Sequence, residues 1–388
     1  MRHTFLDLGM SPLSNAYVEA ADLTRSEKFF PLHAYVCEGC LLVQLEEHES
    51  PEKIFGEYAY FSAFSETWLQ HCRDYADGMT DRLGLGPDHL VVELGSNDGS
   101  LLRCFAESGI EVLGIDPAAN VAEVAIQSGV PTLVRFFGED VAQEVVDTGR
   151  KPDLIVGNNV LAHAPRVNDF VRGMKRLLGP QGVITVEFPH LQRLIEGNQF
   201  DTIYHEHFFY FSFLAVRRVF EAHGLTVFDV DEIPTHGGSL RVYARHQEDE
   251  SKPVLPAVAD LLSRERLAGL DRIDTYVAFG PSVERVKRHL LRFLIEAREA
   301  GRSVVAYGAA AKGNTLLNYC GIRTDFIDYV VDRSPYKQDR YLPGTRIPIR
   351  TRTASATRVR TTCSYCPGIS KTRSWPRCRT SGTGAASS

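Results

Sequence analysis

The chain has 388 residues, too many for one ordinary core, so two or three domains are expected. With 44% hydrophobic and 24% charged residues and a net charge of -6 it reads as a soluble globular protein, with no basic field to attract nucleic acid or an anionic membrane. No apolar run approaches the ~20 residues of a membrane helix, MRHTFLDLG lacks the apolar core of a signal peptide, and the eight cysteines form no dense disulfide framework. A cytoplasmic, monomeric enzyme acting on a small molecule is the expectation, with no nucleic-acid or membrane partner.

Residues 1–62 are loop-rich, with short strands around HAYVCEGCLLVQL. Cys37 and Cys40, two residues apart at a turn, look like half of a zinc knuckle. A structural zinc takes four ligands, so the site is incomplete. His33 is either a third ligand or a lone surface histidine. From about 66 to 84, TWLQHCRDYADGMTDRL has helical spacing. HLVVELGSNDGSLLRCFAESG then reads as buried strand, glycine turn and helix, and EVLGIDP, VPTLVRF, PDLIVGNNVL and GVITVEFP supply further strands. This alternation predicts a doubly wound parallel α/β sheet over 63–247, with two adjacent strands in 225–245 at its far edge. Residues 248–282 read as charged and helical, and 283–300 as an amphipathic helix. RSVVAYGAAAKGNTLLNYCG then opens a second Rossmann-like α/β domain, so a third domain spans 248–349.

The character changes at 350–388, with seven arginines, one lysine and no acid. A disordered basic tail is one reading, and nucleic-acid binding is its usual function. A shifted reading frame through Tyr365–Gly384 gives instead a strand end and an amphipathic helix, so the tail is read as frameshifted and aberrant. On that reading Cys363 and Cys366 are not the missing zinc pair.

In VVELGSNDGSLL an apolar strand runs into Glu93 and Gly95, and the next helix opens after Asn97, Asp98 and Gly99. A phosphate-binding turn would show GxGxxG and free helix-N-terminal amides. An acidic glycine turn suits a cationic cofactor without phosphate, which describes S-adenosylmethionine. Asp116 ends the second strand, where a carboxylate accepts from ribose hydroxyls. Phe137, Gly138 and Glu139 are candidates to hold adenine. GNNVLAH, with Asn158, Asn159 and His163, faces the methyl donor from the end of the fourth strand. A dinucleotide site in a dehydrogenase is the competing reading.

YHEHFFYFS (204–212) follows the strand GVITVEFPHL in a connection that passes over the carboxyl ends of the strands. Tyr204, His205, Glu206 and His207 therefore have the address of a catalytic cluster, with His163 and Asn159 expected nearby and His205 expected to point away. Alternatively the histidines cap a helix near Ser212 or sit satisfied in the core. Proton transfer beside a methyl donor suggests carbon as the nucleophile, which needs a base and donors for an oxyanion.

Taken together, ELGSNDG, GNNVLAH, YHEHFFYFS, THGGSLRVY and YGAAAKGNTLLNY resemble the nucleotide-sugar C-methyltransferases of deoxysugar and antibiotic biosynthesis. They are similar to those acting at carbon 3 of dTDP-4-keto-deoxyhexoses. The resemblance spans about residues 4–349. It implies a class I S-adenosylmethionine methyltransferase domain between a small zinc-binding domain and a C-terminal Rossmann-like nucleotide-sugar domain. It also implies His207 as the base, Tyr204, Glu206 and His163 as active-site partners, and Tyr58 and Asn159 in the same pocket. Lys312 and Asn314 match the loop that approaches the nucleotide. The family's first Cys-x-x-Cys pair precedes a segment like RHTFLDLGMSPLSN, where this sequence starts, so the zinc-binding-like domain 1–62 is read as truncated. A sugar O- or N-methyltransferase, or an inactive donor-binding homologue, is the alternative.

Overall fold

Every second side chain of the strand Phe30–Cys37 is buried along most of its length, the period of a sheet with one face on a core. In the computed structural model, which describes residues 2–56, 62–64, 66–351, 361–364 and 379–380, this strand pairs antiparallel with Arg2–Ser11 and Val43–Leu45. Val43–Leu45 pairs in turn with Phe209–Tyr210. Two residues of the FFYFS run thus complete the N-terminal sheet and anchor the segment that carries Tyr204–His207.

The strand Leu90–Leu94 is buried at all five positions, as a parallel strand covered on both faces must be. It lies inside a seven-stranded sheet ordered Leu225–Ile233, Ser239–His246, Val183–Pro189, Leu154–Asn158, Leu90–Leu94, Glu111–Ile115, Thr132–Leu133. Ser239–His246 runs antiparallel to both neighbours and the remaining pairs are parallel. The expected doubly wound α/β domain and its two edge strands are present. Strand order reverses between Leu90–Leu94 and Leu154–Asn158, which opens a crevice at their carboxyl ends.

The helix Phe213–Glu221 begins where YHEHFFYFS stops. Its cap is Ser212, whose hydroxyl accepts from the Ala215 amide. Buried Glu265 accepts from the Phe213 and Leu214 amides at 2.6 and 2.7 Å and from His190 at 2.7 Å. A carboxylate at a helix N-terminus satisfies orphan donors and the positive end of the dipole. The histidines of the cluster do not cap this helix.

The helical stretch after 248 resolves into Pro256–Leu267, Ile273–Val277 and Gly280–Glu299. Val304–Tyr307, Tyr329–Val331 and Ile349–Arg350 then form a parallel sheet with the helix Ala311–Cys320. Two strands within 350–388 were not expected: Thr361–Ser364 runs parallel to Val304–Tyr307, and Arg379–Thr380 pairs with it. They satisfy backbone groups that an edge would leave open. Cys363 lies in the first of these strands, and Cys366 falls outside the described residues.

The three parts interlock. Phe5 stacks on Phe279 at 5.2 Å, Thr315 donates to the Ile203 carbonyl, and Asn314 donates to the Ser14 carbonyl at 2.6 Å. Among the described residues no helix is long and apolar enough to cross a membrane.

Candidate active site

A cavity of about 760 Å³ lies at the carboxyl ends of the central strands. Asn15, Phe55, Glu93, Asn97, His207 and Lys337 all border it, so all three parts of the chain contribute to its wall.

One end is acidic. Glu93, Gly95, Ser96, Asn97, Asp116, Asn158 and Asn159 line it. Gly95 has φ +67°, and a Cβ there would stand 2.8 Å from Val160 Cγ2. Only glycine makes this turn. Asn97 and Asn159 also adopt positive φ, a conformation asparagine tolerates. The Asn97 and Ala118 amides donate to Asp116 at 2.8 Å each, leaving lone pairs for ribose hydroxyls. Burial, reinforced by Asp116 and Asp98, pushes the Glu93 carboxyl well above its ordinary range, and burial raises Asp116 too. Glu93 Oε2, Ser96 Oγ and Asn158 Oδ1 are buried without a hydrogen-bond partner among the described residues. Buried polar atoms of this kind ask for a ligand, and massed carboxyls ask for a cationic one. These residues fit S-adenosylmethionine, with its sulfonium and ribose, and they do not fit a pyrophosphate.

The other end holds the histidines. His207 Nδ1 lies 3.1 Å from the Thr202 carbonyl and Nε2 lies 3.0 Å from the Tyr204 hydroxyl. A carbonyl only accepts, so Nδ1 carries the proton and Nε2 presents its lone pair. His163 Nδ1 donates to the Glu206 carbonyl at 2.6 Å, and the two imidazoles pack with centroids 4.6 Å apart. Burial, then His163, push His207 well below its ordinary value. Burial lowers His163 to about 4. Both rings are thus neutral near pH 7 and available as acceptors. Lys312 borders the cavity, and its charge also depresses His207.

Glu206 is buried and faces the cavity. Asn15 Nδ2 donates to its two oxygens at 2.7 and 2.9 Å. Burial raises its carboxyl to about 7, against the pull of Asn15 and Lys337. His205, by contrast, turns to the N-terminal sheet, with Nε2 3.2 Å from the Pro31 carbonyl.

Several sequence candidates lie elsewhere. Asp98 does not line the cavity: it accepts from the Ala63 amide at 2.8 Å and from Ser100 at the start of the next helix. Glu139 pairs outward with Arg172 and Arg176, while Phe137 does line the wall. Asn314 is buried against Ser14 and does not line the cavity. Tyr58 lies outside the described residues. Cys37 and Cys40 sit at the N-terminal sheet's turn, where the Cys40 amide holds the Cys37 thiol below its ordinary value. They supply two ligands, and among the described residues no group of three or more His, Cys, Asp or Glu is arranged to hold a metal ion. Zinc therefore has only a partial site in these residues. His33 pairs opposite Asp7, and Cys37 opposite Arg2, so His33 does not join the cysteines.

Asn15, Lys337 and Trp68 line the cavity and were not anticipated. Asn15 sits in SPLSN and Lys337 in DRSPYKQDR, both in loops that periodicity does not reach.

Three family models match in succession: one described as "Putative zinc binding domain" over 1–55, a methyltransferase domain over 68–230 and a C-methyltransferase C-terminal domain over 234–361. C-methyltransferase NovU from Streptomyces niveus is 38% identical over 344 residues, 89% of this chain and 82% of that protein. A ubiquinone biosynthesis O-methyltransferase from Bartonella quintana (strain Toulouse) is 25% identical over 211 residues, 54% of this chain and 72% of its own. Magnesium protoporphyrin IX methyltransferase from Synechocystis PCC 6803, solved with bound SAM, aligns with 50% of this chain and 88% of its own at 17% identity and a TM-score of 0.35. The strand order and acidic turn, with the extent of the first of these relatives, identify the chain as an S-adenosylmethionine-dependent methyltransferase belonging to the C-methyltransferase family.

Proposed function

We propose that the chain methylates carbon 3, beside the keto group, of a dTDP-linked 4-keto-deoxysugar in deoxysugar or antibiotic biosynthesis. The observation that carries this reading is the neutral His207, its Nδ1 proton tied to Thr202 and its Nε2 lone pair turned to Tyr204. An oxygen or nitrogen acceptor needs little beyond proximity, whereas a carbon acid needs such a base.

In this reading His207 Nε2 takes the proton from carbon 3, and the electron pair moves onto the keto oxygen as an enolate. The Tyr204 hydroxyl covers Nε2 here, and its rotation onto the keto oxygen would free the base and supply a donor to the oxyanion. His163 holds the backbone of Glu206 from one side and packs against the base from the other. S-adenosylmethionine, when bound, supplies an electrophilic methyl group. Glu93, Gly95, Asn97, Asp116, Asn158 and Asn159 would hold it, with Asp98 fixing their loop. Lys312 is the cation for the substrate's phosphate or keto oxygen, and Asn314 supports it by anchoring the helix Ala311–Cys320. Tyr58 and Asn159 are assigned to the substrate pocket. We divide the chain into a zinc-binding-like part (1–62), the methyltransferase domain (63–247), a nucleotide-sugar domain (248–349) and the tail (350–388).

The test supplies a dTDP-4-keto-deoxyhexose and methyl-¹³C donor and locates the label by NMR. Label on carbon 3 supports the reading. Label on carbon 5, the other carbon beside the keto group, overturns the position, and label on oxygen or nitrogen overturns the reaction.

A further inference from the structure

Asn15 reaches the reacting end from 191 residues away from Glu206 in sequence. Its Nδ2 donates to both carboxylate oxygens, and both residues border the cavity. The Tyr17 hydroxyl lies 3.4 Å from Asn15 Oδ1 and donates to the Ala309 carbonyl. A flipped amide would set Oδ1 against a carboxylate, so chemistry settles its orientation. Ala309 also accepts from Lys337 at 2.9 Å, and the residues that follow it, Ala310, Ala311 and Lys312, line the cavity.

Resting on the function proposed above, we propose that Asn15 is a positioning residue. Its amide aims the Glu206 carboxylate into the cavity as the acceptor for a hydroxyl or ammonium of the sugar, which makes the N-terminal part a working wall of the active site. The nitrogen can only donate, and it donates to both oxygens, so it favours the ionised carboxylate over a protonated carboxyl, whose O–H finds no acceptor in it. Among the described residues, three titratable groups face Glu206 from the elements packed on it. They are Lys337, Tyr17 and, through its hydrogen bond to the Glu206 carbonyl, His163. Burial drives the carboxyl up to about 7, and Asn15 is the larger of the two opposing influences. Through Tyr17 and Ala309 the same side chain is tied to the turn that leads into the helix carrying Lys312, so both ends of a bound substrate meet one strap.

The test is the pH profile of kcat/KM for Asn15→Ala and Asn15→Asp, beside an infrared titration of the carboxyl. Asn15→Ala lowers kcat/KM about tenfold, the loss of one charge-assisted hydrogen bond, and moves the acid limb to higher pH. Asn15→Asp puts two carboxyls in contact that share one proton. Below the pair's upper ionisation a protonated Asp donates to Glu206 and activity recovers, so this variant loses activity as pH rises where wild type gains it. A uniform loss with unshifted profiles overturns the proposal. The infrared band needs no sugar: its midpoint rises in Asn15→Ala and the band is absent in Glu206→Gln. An unmoved midpoint overturns the proposal even if the wild type fails to turn over the sugar, a result that would count against the substrate assignment alone.

Discussion

The two ends of the cavity are built by opposite means. The acidic end comes from consecutive strand–turn–helix units of one sheet, where Glu93, Gly95 and Asn97 lie within five residues and Asp116 directly follows the next strand. The reacting end is assembled from Asn15, Tyr204, Glu206, His207, Lys312 and Lys337, drawn from all three parts of the chain. Backbone geometry decides the first and long-range hydrogen bonds decide the second. Damage to one end should therefore leave the other measurable.

The largest expected effect is at the base. His207→Ala should lower kcat by roughly 10²–10⁴-fold and leave the affinity for S-adenosylhomocysteine, read by calorimetry, unchanged. Gly95→Ala should do the reverse. Positive φ costs a side chain roughly 1–2 kcal/mol, and the new Cβ would meet Val160 at 2.8 Å. Cofactor affinity should fall about tenfold or more, with a normal Glu206 titration. If Gly95→Ala instead moved that titration, the two ends would be coupled and the comparison would fail.

Glu206→Gln is subtler because its effects on activity and stability oppose. Activity that requires the carboxylate rises with pH through about 7 in the wild type, and the variant should lose that limb along with about tenfold in kcat/KM. Stability runs the other way. A carboxyl raised in the folded state binds its proton more tightly there than when unfolded. Its contribution is therefore full below the ordinary carboxyl value and is lost as pH climbs to about 7. The glutamine variant should accordingly be the more stable above pH 7, by a gap on the order of 2–3 kcal/mol, measured by denaturant unfolding at pH 5 and pH 8. Equal stability at both pH values would show that Glu206 is not held against its ionisation.

The same contrast explains what the sequence revealed. Strand and helix alternation and the turn at Gly95 were legible because both are local: period, glycine and acid lie within a dozen residues. The place of His207 at the cavity was legible because five ionisable or phenolic groups in one aromatic run have few structural reasons. Asn15 and Lys337 were not, since neither a lone asparagine after SPLS nor a lysine in a polar loop carries a signal before the fold brings it to the cavity. Asn314 entered through the family resemblance, which places it on the loop approaching the nucleotide. Its amide instead holds Ser14 and ties the third part of the chain to the first.

The most direct test of a histidine-generated enolate is hydrogen exchange. The enzyme would be incubated in deuterium oxide with a dTDP-4-keto-deoxyhexose and S-adenosylhomocysteine, which carries no methyl to transfer. Deuterium should enter carbon 3 with wild type and stop with His207→Ala. Exchange at the wild-type rate in the variant, or none in wild type under conditions where it methylates carbon, would contradict the account.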